Sequence, residues 1–161
     1  MLKIILLLLI SNIASAHPCE PKPKPPAPCQ ISSIDAQMLR YVNAYRSKNR
    51  ACGSRTYLAV KPVKWSCELA KAAKYHSDDM ARNRRMSHTG SDGSSMSARV
   101  RRAKFQGRYL GENIAAGYRS VPSVMKGWMS STGHCKNIMN GNFKYFGHSM
   151  KSNYWTQVFG G

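Results

Sequence analysis

The sequence predicts an α+β fold in which helices pack on both sides of a central antiparallel sheet, a three-layer αβα sandwich. Two observations carry this prediction. Apolar residues recur at three- and four-residue intervals in the segments that follow Ser33 and Ser66, and residues 144–161 hold two aromatic-rich runs separated by a short turn. The chain has 161 residues, of which 42% are hydrophobic, so it can build one core and has no room for a second.

Residues 1–16 have the composition of a secretory signal peptide. Lys3 precedes an apolar run at residues 4–10, and Ala14 and Ala16 stand where a signal peptidase would cut. The run is far shorter than the roughly 20 residues that a membrane-spanning helix needs, and no later segment approaches that length. We therefore expect a secreted protein, extracellular or periplasmic, without a transmembrane segment.

Residues 17–32 are expected to form a leader rather than part of the domain. The segment is dominated by Pro and Lys, which favour an extended, polyproline-like chain with little to bury. The domain is then expected at residues 33–161. Its first helix begins after Ser32 or Ser33, either of which can cap it. The apolar stripe of this helix comprises Ile34, Met38, Val42 and Tyr45.

A second helix is predicted over residues 66–83, with one face made of Leu69, Ala72, Ala73, His76 and Met80. Residues 87–95 are rich in Gly, Ser and Asp and predict a loop, followed by a short basic helix. Residues 110–116 could begin as a strand or a turn. The run VPSVMKGWMSS predicts a helix, because Pro122 is tolerated in a first turn, and the chain ends in a β-hairpin around residues 151–153.

The charge balance predicts an acidic partner. The chain carries 25 Lys and Arg against 7 Asp and Glu, a net charge of +18. Such an excess attracts polyanions, and for an exported protein these would be an anionic envelope polymer, lipid head groups or another polyanion. Nucleic acid is not expected as the physiological target. The alternative, that the charge only maintains solubility, stays open.

Cationic residues cluster on both sides of the loop at residues 87–95. If the loop folds back, they would form a basic rim around a cleft, for which we single out Arg84, Arg85, Arg101 and Arg102. The same segments also hold Arg82, Arg99, Lys104 and Arg108. The alternative is that these residues cover two solvated helix faces.

Three side chains are candidates for a functional cleft. His88 lies in the Gly-rich loop, Glu112 stands between Gly and Asn, and His134 follows a Gly at a helix end. Such neighbours let the backbone turn sharply and direct a side chain into a cleft. No His-Glu-x-x-His helix, Gly-x-Ser-x-Gly elbow or phosphate-binding Gly-Lys loop is present, which argues against a standard hydrolase. His76 is interpreted as a core residue, and His148 as a strand residue without an acidic neighbour.

Three motifs appear in an order typical of one secreted family: GENIAAGY, GWMSSTGHCKNIMN and YWTQVFGG, preceded by AKYHSDDMARNRRMSHTGSDGS. The chain resembles the compact bacterial-type members of the CAP superfamily, the cysteine-rich secretory, antigen 5 and pathogenesis-related proteins. The resemblance implies an αβα sandwich with His88 and Glu112 in a central cleft. Ser131 and Tyr154 stand where animal and plant relatives carry a second glutamate and a second histidine, and His134 is expected to take the histidine's role.

This resemblance leads to a possible metal site and to three functional hypotheses. His88, Glu112 and His134 would suit zinc or another divalent metal, with one position open for water. The leading hypothesis is a secreted binding or effector module with a His/Glu cleft at an envelope or host surface. One alternative is a metal-assisted hydrolase with Glu112 as catalytic base. The other is a cationic protein that binds acidic polymers or lipids and whose cleft is vestigial.

Five cysteines suggest disulfides in an oxidising compartment, with at least one cysteine left over. The family resemblance implies a bridge between Cys52 and Cys135. Cys19 and Cys29 bracket the Pro/Lys tract and could close a small local loop. Cys67 would then be the remaining thiol, and we expect it to be buried and inert.

Overall fold

The structure is a computed structural model and describes residues 29–161. The predicted signal peptide, most of the predicted leader and Cys19 lie outside the described residues. The helices are α1 (Ser33–Arg46), α2 (Cys67–Asn83), α3 (Met96–Arg102), α4 (Val121–Ser130) and α5 (Thr132–Ile138). The strands are β1 (Arg50–Cys52), β2 (Arg55–Tyr57), β3 (Lys64–Trp65), β4 (Leu110–Ala116), β5 (Tyr145–Lys151) and β6 (Tyr154–Gly160).

The central sheet has four strands in the order β3-β5-β6-β4. β5 and β6 form the predicted hairpin, and its turn residues Ser152 and Asn153 have positive φ angles of 48° and 64°. β4 pairs antiparallel with β6, but the two-residue β3 pairs parallel with β5. The sheet is therefore mixed at one edge. A parallel pair needs a long crossover connection, and α2, α3, β4, α4 and α5 all lie between β3 and β5 in the chain.

Helices cover both faces of this sheet, which confirms the three-layer αβα architecture. One face carries α2 and α3, and its core is made of Leu69, Ala72, Ala73, Val100, Ala103 and Val158. The other carries α1, α4 and α5, whose core includes Met38, Val42, Val124, Met125, Trp128, Trp155 and Phe159. Gly147 of β5 lies so close to the backbone of Leu69 and Ala70 that a Cβ atom would overlap it. α2 therefore rests directly on the sheet.

Serine caps explain where α1, α2 and α4 begin. Ser32 accepts a hydrogen bond from the backbone of Asp35 at the start of α1, and Ser66 accepts one from Leu69 at the start of α2. Ser120 and Ser123 form a capping box at α4. The short β1–β2 hairpin, the two-residue strand β3 and the separate helix α5 were not predicted from the sequence.

Two disulfides join distant parts of the described chain. Cys52 of β1 pairs with Cys135 of α5, which is the pairing that the family resemblance implied. Cys29 pairs with Cys67 at the start of α2, so the expectation of a free Cys67 thiol, and of a loop closed by Cys29 with Cys19, was wrong. The extended segment before α1 runs past the N-terminus of α2 and brings the two Cα atoms to 5.8 Å, a normal spacing for a disulfide.

Arg46, at the end of α1, is fully buried and was not singled out from the sequence. Its guanidinium group donates hydrogen bonds to the carbonyl oxygens of Lys61, Ile138, Asn140 and Phe143. Burial lowers the pKa of this arginine to about 10. One side chain thus ties α1 to the segment before β3 and to the chain between α5 and β5.

Candidate functional site

Glu112 is the centre of the candidate cleft. It is the third residue of β4, and only 7% of the residue is exposed. Its two carboxylate oxygens have different partners: Oε1 lies 2.8 Å from Nδ1 of His88, and Oε2 accepts a hydrogen bond of 2.8 Å from Nη2 of Arg99. The carboxylate therefore bridges an imidazole near the surface and a guanidinium group beneath it.

Arg99 lies under the cleft and does not belong to the exposed basic residues with which the sequence grouped it. The residue is 3% exposed, on the inner side of α3. It also donates hydrogen bonds to the carbonyl oxygens of His88 and Ser94, at 3.1 and 2.8 Å. Arg99 therefore fixes both the carboxylate and the loop that carries the imidazole.

The loop between α2 and α3 is further held from the side of α2. The carboxylate of Asp79 accepts hydrogen bonds from the backbone and the hydroxyl group of Ser91. Gly90 and Ser94 close the loop through a backbone hydrogen bond of 2.9 Å. The predicted loop thus has a fixed shape, and it presents His88 with 60% of its side chain exposed.

The ionisation of His88 and Glu112 is coupled. The hydrogen bond to Glu112 raises the pKa of His88 above its ordinary value. Burial alone would raise the pKa of Glu112, but the His88 hydrogen bond and the Arg99 charge outweigh it and leave that pKa lowered. The favoured state is therefore a carboxylate that holds Nδ1–H of His88, with Nε2 on the exposed side of the ring.

His76 contributes to the site although the sequence predicted only a core residue. It lies on the buried face of α2 with no exposed surface, and its Nε2 is 3.8 Å from Oε1 of Glu112. Neither ring nitrogen meets the geometry of a hydrogen bond within the described part of the chain. Burial lowers the pKa of His76, so this imidazole is neutral beside the carboxylate.

His134 lies on α5, and its backbone is linked to the strand that carries Glu112. Asn113 donates a hydrogen bond to the His134 carbonyl, and Asn137 donates to the Glu112 carbonyl and to the Asn113 side chain. Burial and the charge of His88 lower the pKa of His134. Over residues 29–161, no hydrogen bond or ion pair joins the His134 ring to His88 or Glu112.

The side chains as placed do not form a donor set that fits a metal ion. Across residues 29–161, no group of three or more His, Cys, Asp and Glu side chains could hold one. Both oxygens of Glu112 are already engaged, and the positive charge of Arg99 opposes a cation beside them. Zinc or another divalent metal at His88, Glu112 and His134 stays a prediction from the family resemblance.

A shallow pocket of about 390 Å³ opens beside His88. The lining residues are His88, Thr89, Ser95, Met96, Ser97 and Glu112. Among the described residues, no Ser, Thr or Cys side chain hydrogen-bonds to the His88 ring. The pocket therefore offers an oriented imidazole and hydroxyl groups, an arrangement that suits recognition of a polar or negatively charged group.

The four residues predicted as a basic rim have different environments. Arg84, Arg85 and Arg101 are exposed. Arg102 is also exposed but forms an ion pair of 3.2 Å with Asp92. Whether they bind a partner stays a prediction.

His148 was expected to have no acidic neighbour, and this was wrong. Its Nδ1 lies 2.6 Å from Oδ1 of Asp35, a contact between β5 and the first turn of α1. No sequence pattern links the two residues, because they are far apart in the chain. The pair of His148 and Asp35 lies outside the cleft.

Within residues 29–161, none of the helices has the length and apolar composition needed to cross a bilayer.

Comparison with known proteins agrees with the architecture. A sequence model of the cysteine-rich secretory protein family, CAP, matches residues 39–159. The uncharacterized protein YkwD of Bacillus subtilis is 31% identical over 135 residues, which cover 83% of this chain and 49% of that protein. The uncharacterized membrane protein YlbC of the same species is 29% identical over 128 residues, covering 80% and 34%. The chain thus spans half or less of the length of these relatives.

Solved structures share the fold. An extracellular protein containing an SCP domain from Bacillus anthracis matches with a TM-score of 0.65 at 24% identity, over 83% of this chain and 44% of that one. An outer surface protein of Borrelia burgdorferi matches with a TM-score of 0.59 at 17% identity, over 77% and 92%. The family match extends over α2, the loop with His88, Glu112 and α5, and the chain therefore belongs to the cysteine-rich secretory protein (CAP) family.

Proposed function

We propose that this chain is an exported binding module that recognises an acidic group of its ligand at the His88–Glu112 cleft, at a cell envelope or a host surface. The observation that carries the proposal is the fixed orientation of His88. Its Nδ1 is held by a buried carboxylate, while most of the ring faces a pocket. A protonated imidazole in this position has one N–H left to donate, and hydrogen bonds between charged partners are the strong ones.

The geometry favours binding over hydrolysis by Glu112. A general base must reach the proton that it abstracts, but the Glu112 side chain is only 3% exposed and both its oxygens are engaged. Its lowered pKa also makes it a weaker base than an ordinary glutamate. Glu112 therefore serves to orient and charge His88.

Export is supported by the sequence and by the covalent structure. The chain begins with a segment of signal-peptide composition, and the described residues hold two disulfides, which persist in oxidising compartments. Mass spectrometry of the protein recovered from culture medium and periplasm would test this. Export requires a mature N-terminus close to His17, and a full-length chain that stays in the cytoplasm would contradict it.

The binding proposal is tested with D-galacturonate as an acidic probe and D-galactose as its uncharged control. We expect galacturonate to shift the NMR signal of the His88 ring below the raised pKa of His88 and to lose this effect above it. His88→Gln should weaken galacturonate binding about tenfold, the value of one hydrogen bond between charged partners. His134→Gln is the matched control and should retain binding. Equal affinity of the His88→Gln variant and the parent would disprove the proposal.

A further inference from the structure

A second groove lies on the neighbouring side of α3. It has a volume of about 540 Å³ and runs along the end of α3 and the segment that leads into β4. Arg101, Lys104 and Gln106 form its rim, and Val100, Phe105 and Leu110 form its floor. This groove is formed by different residues from those of the His88 pocket, with one exception.

Ser97 lines both the groove and the His88 pocket. It is an exposed residue near the start of α3, with Met96 on the pocket side and Arg101 one helical turn further on the groove side. The two cavities therefore adjoin at Ser97. A ligand that enters beside His88 can continue along α3 without leaving the surface.

The positive charge on the rim of the groove is not balanced by carboxylates of the described residues. Arg101 and Lys104 are exposed, and neither forms an ion pair with a described residue. No Asp or Glu is among the residues that line the groove. By contrast, the exposed Arg102 on the other side of α3 is paired with Asp92. The groove therefore offers two cations to an anionic ligand.

The floor of the groove is apolar but recessed. Val100 is 2% exposed, and Phe105 is half-buried in a T-shaped contact with Tyr145, with ring centroids 5.8 Å apart. A recessed floor can receive the apolar face of a sugar ring, whereas insertion into a bilayer requires apolar side chains that protrude. One edge of the Phe105 ring lies so close to Gly107 and Gly160 that a Cβ atom at either glycine would overlap it.

We propose that the groove extends the His88 cleft and that the ligand of the combined site is an acidic glycan, a linear chain of sugars bearing carboxylate or phosphate groups. One unit lies at His88, and the following units place their anionic groups at Arg101 and Lys104 and their ring faces on Phe105 and Leu110. The first contact rests on the proposed function of His88. The extension rests on the groove alone.

Calorimetry with D-galacturonate and a length series of oligogalacturonates tests this proposal on the full mature chain. We expect affinity to rise with length until the groove is filled. Arg101→Gln with Lys104→Asn should lower the affinity for the long ligands about tenfold and leave the affinity for the monomer unchanged. Asn is chosen because Lys104 has a φ of 68°, a left-handed conformation that Asn tolerates.

A charge-matched control separates the groove from general electrostatic attraction. Lys48→Gln with Lys126→Gln removes the same charge from exposed positions in the α1 and α4 layer. These substitutions should reduce the affinity for long ligands by less than about twofold at physiological salt, where distant charges are screened. Equal losses in the two double variants would overturn the groove proposal, as would an affinity that does not change with length.

Further ligands identify the anionic group and the class of partner. A series of phosphomannan oligosaccharides compared with the oligogalacturonates shows whether phosphate or carboxylate is preferred, and tighter binding of either is consistent with the proposal. Tighter binding of anionic vesicles or of single-stranded RNA than of every glycan, lost in the Arg101 and Lys104 variant, would overturn it. Failure of the proposed function gives a different result, since His88→Gln would then leave monomer binding unchanged.

Discussion

Arg99 gives the cleft a property that an isolated His88–Glu112 pair would lack. Together with the His88 hydrogen bond, the charge of its guanidinium group keeps the pKa of Glu112 lowered although the carboxylate is buried, and Arg99 also holds the backbone of the loop that carries His88. Without the Arg99 charge, the pKa of the buried carboxylate would be higher, and its hold on the imidazole would weaken. The protonation state of the exposed His88 thus depends on Arg99, a buried side chain that a ligand does not contact.

At the residue scale we predict that Glu112→Gln destabilises the protein by about 3 kcal/mol, because it leaves Arg99 as a buried charge without its carboxylate. Glu112→Gln combined with Arg99→Met should recover part of this loss, because the second substitution removes the stranded charge. Urea unfolding of the two single variants and the double variant measures the coupling. Additive losses would mean that the pair does not stabilise the fold.

The contact between α1 and β5 predicts a pH dependence at the element scale. Burial outweighs the effect of Asp35 and lowers the pKa of His148 below its ordinary value of 6.5. The pKa of Asp35 is also lowered, since its hydrogen bonds with His148 and Ser32 outweigh its own burial. The native state therefore contains a neutral imidazole that donates to an ionised carboxylate.

The lowered pKa values of His148 and Asp35 both make the protein lose stability as the pH falls. Below pH 6.5 the unfolded chain takes up a proton at His148 that the native chain does not, so the free energy of unfolding falls as the pH falls. Asp35 adds a loss from about pH 3.8 downward. We predict that His148→Gln flattens the slope between these values by up to about 1.4 kcal/mol per pH unit, the limit for one proton.

The pKa shift of His88 has the opposite direction to that of His148 and therefore predicts the opposite dependence of stability on pH. The pKa of His88 is raised, so its contribution to stability is fully present below pH 6.5 and is lost as the pH rises through the native value. The free energy of unfolding should therefore depend on pH differently in His88→Gln and the parent between pH 6.5 and the raised native pKa, where the parent loses this contribution, whereas His148→Gln should differ in slope from the parent below pH 6.5. An unchanged slope in His148→Gln would show that the buried pair does not control acid stability.

At the scale of the whole molecule, Arg46 connects parts of the chain that no sheet joins. We predict that Arg46→Met lowers the free energy of unfolding by about 3 kcal/mol or more, because four carbonyl groups lose their donor and those of Ile138 and Phe143 are buried. Arg50→Met is the matched control. Arg50 lies over the Tyr45 ring at 4.8 Å and donates one hydrogen bond, so its loss should cost less than about 1.5 kcal/mol. Equal effects of the two substitutions would contradict the role given to Arg46.

The fold was predictable because helix periodicity and the terminal hairpin are local signals. The stripe with Met38 and Val42 and the face with Leu69 and Met80 are buried as their spacing predicts. The edge strand β3 was missed, since two residues carry no periodicity.

The candidate site was predicted only in part. His88 and Glu112 came from the family motifs, and the structure brings their side chains together. The roles of Arg99 and His76 were missed, because an arginine in a basic helix and a histidine on an apolar face look the same from sequence whether or not a carboxylate lies beside them. The expectation that Cys67 is an unpaired thiol was wrong. Its bond with Cys29 depends on the course of the chain before α1, which the spacing of the cysteines does not reveal.

The disulfide between Cys29 and Cys67 also determines how the domain would respond to mechanical load. Tension applied to the chain ahead of Cys29 passes through the sulfur atoms to the first residue of α2, which rests on β5 and β6. The intervening residues, which include all of α1, lie in a closed covalent loop and carry none of that tension. A domain anchored through its N-terminal segment could therefore be pulled without α1 unravelling first.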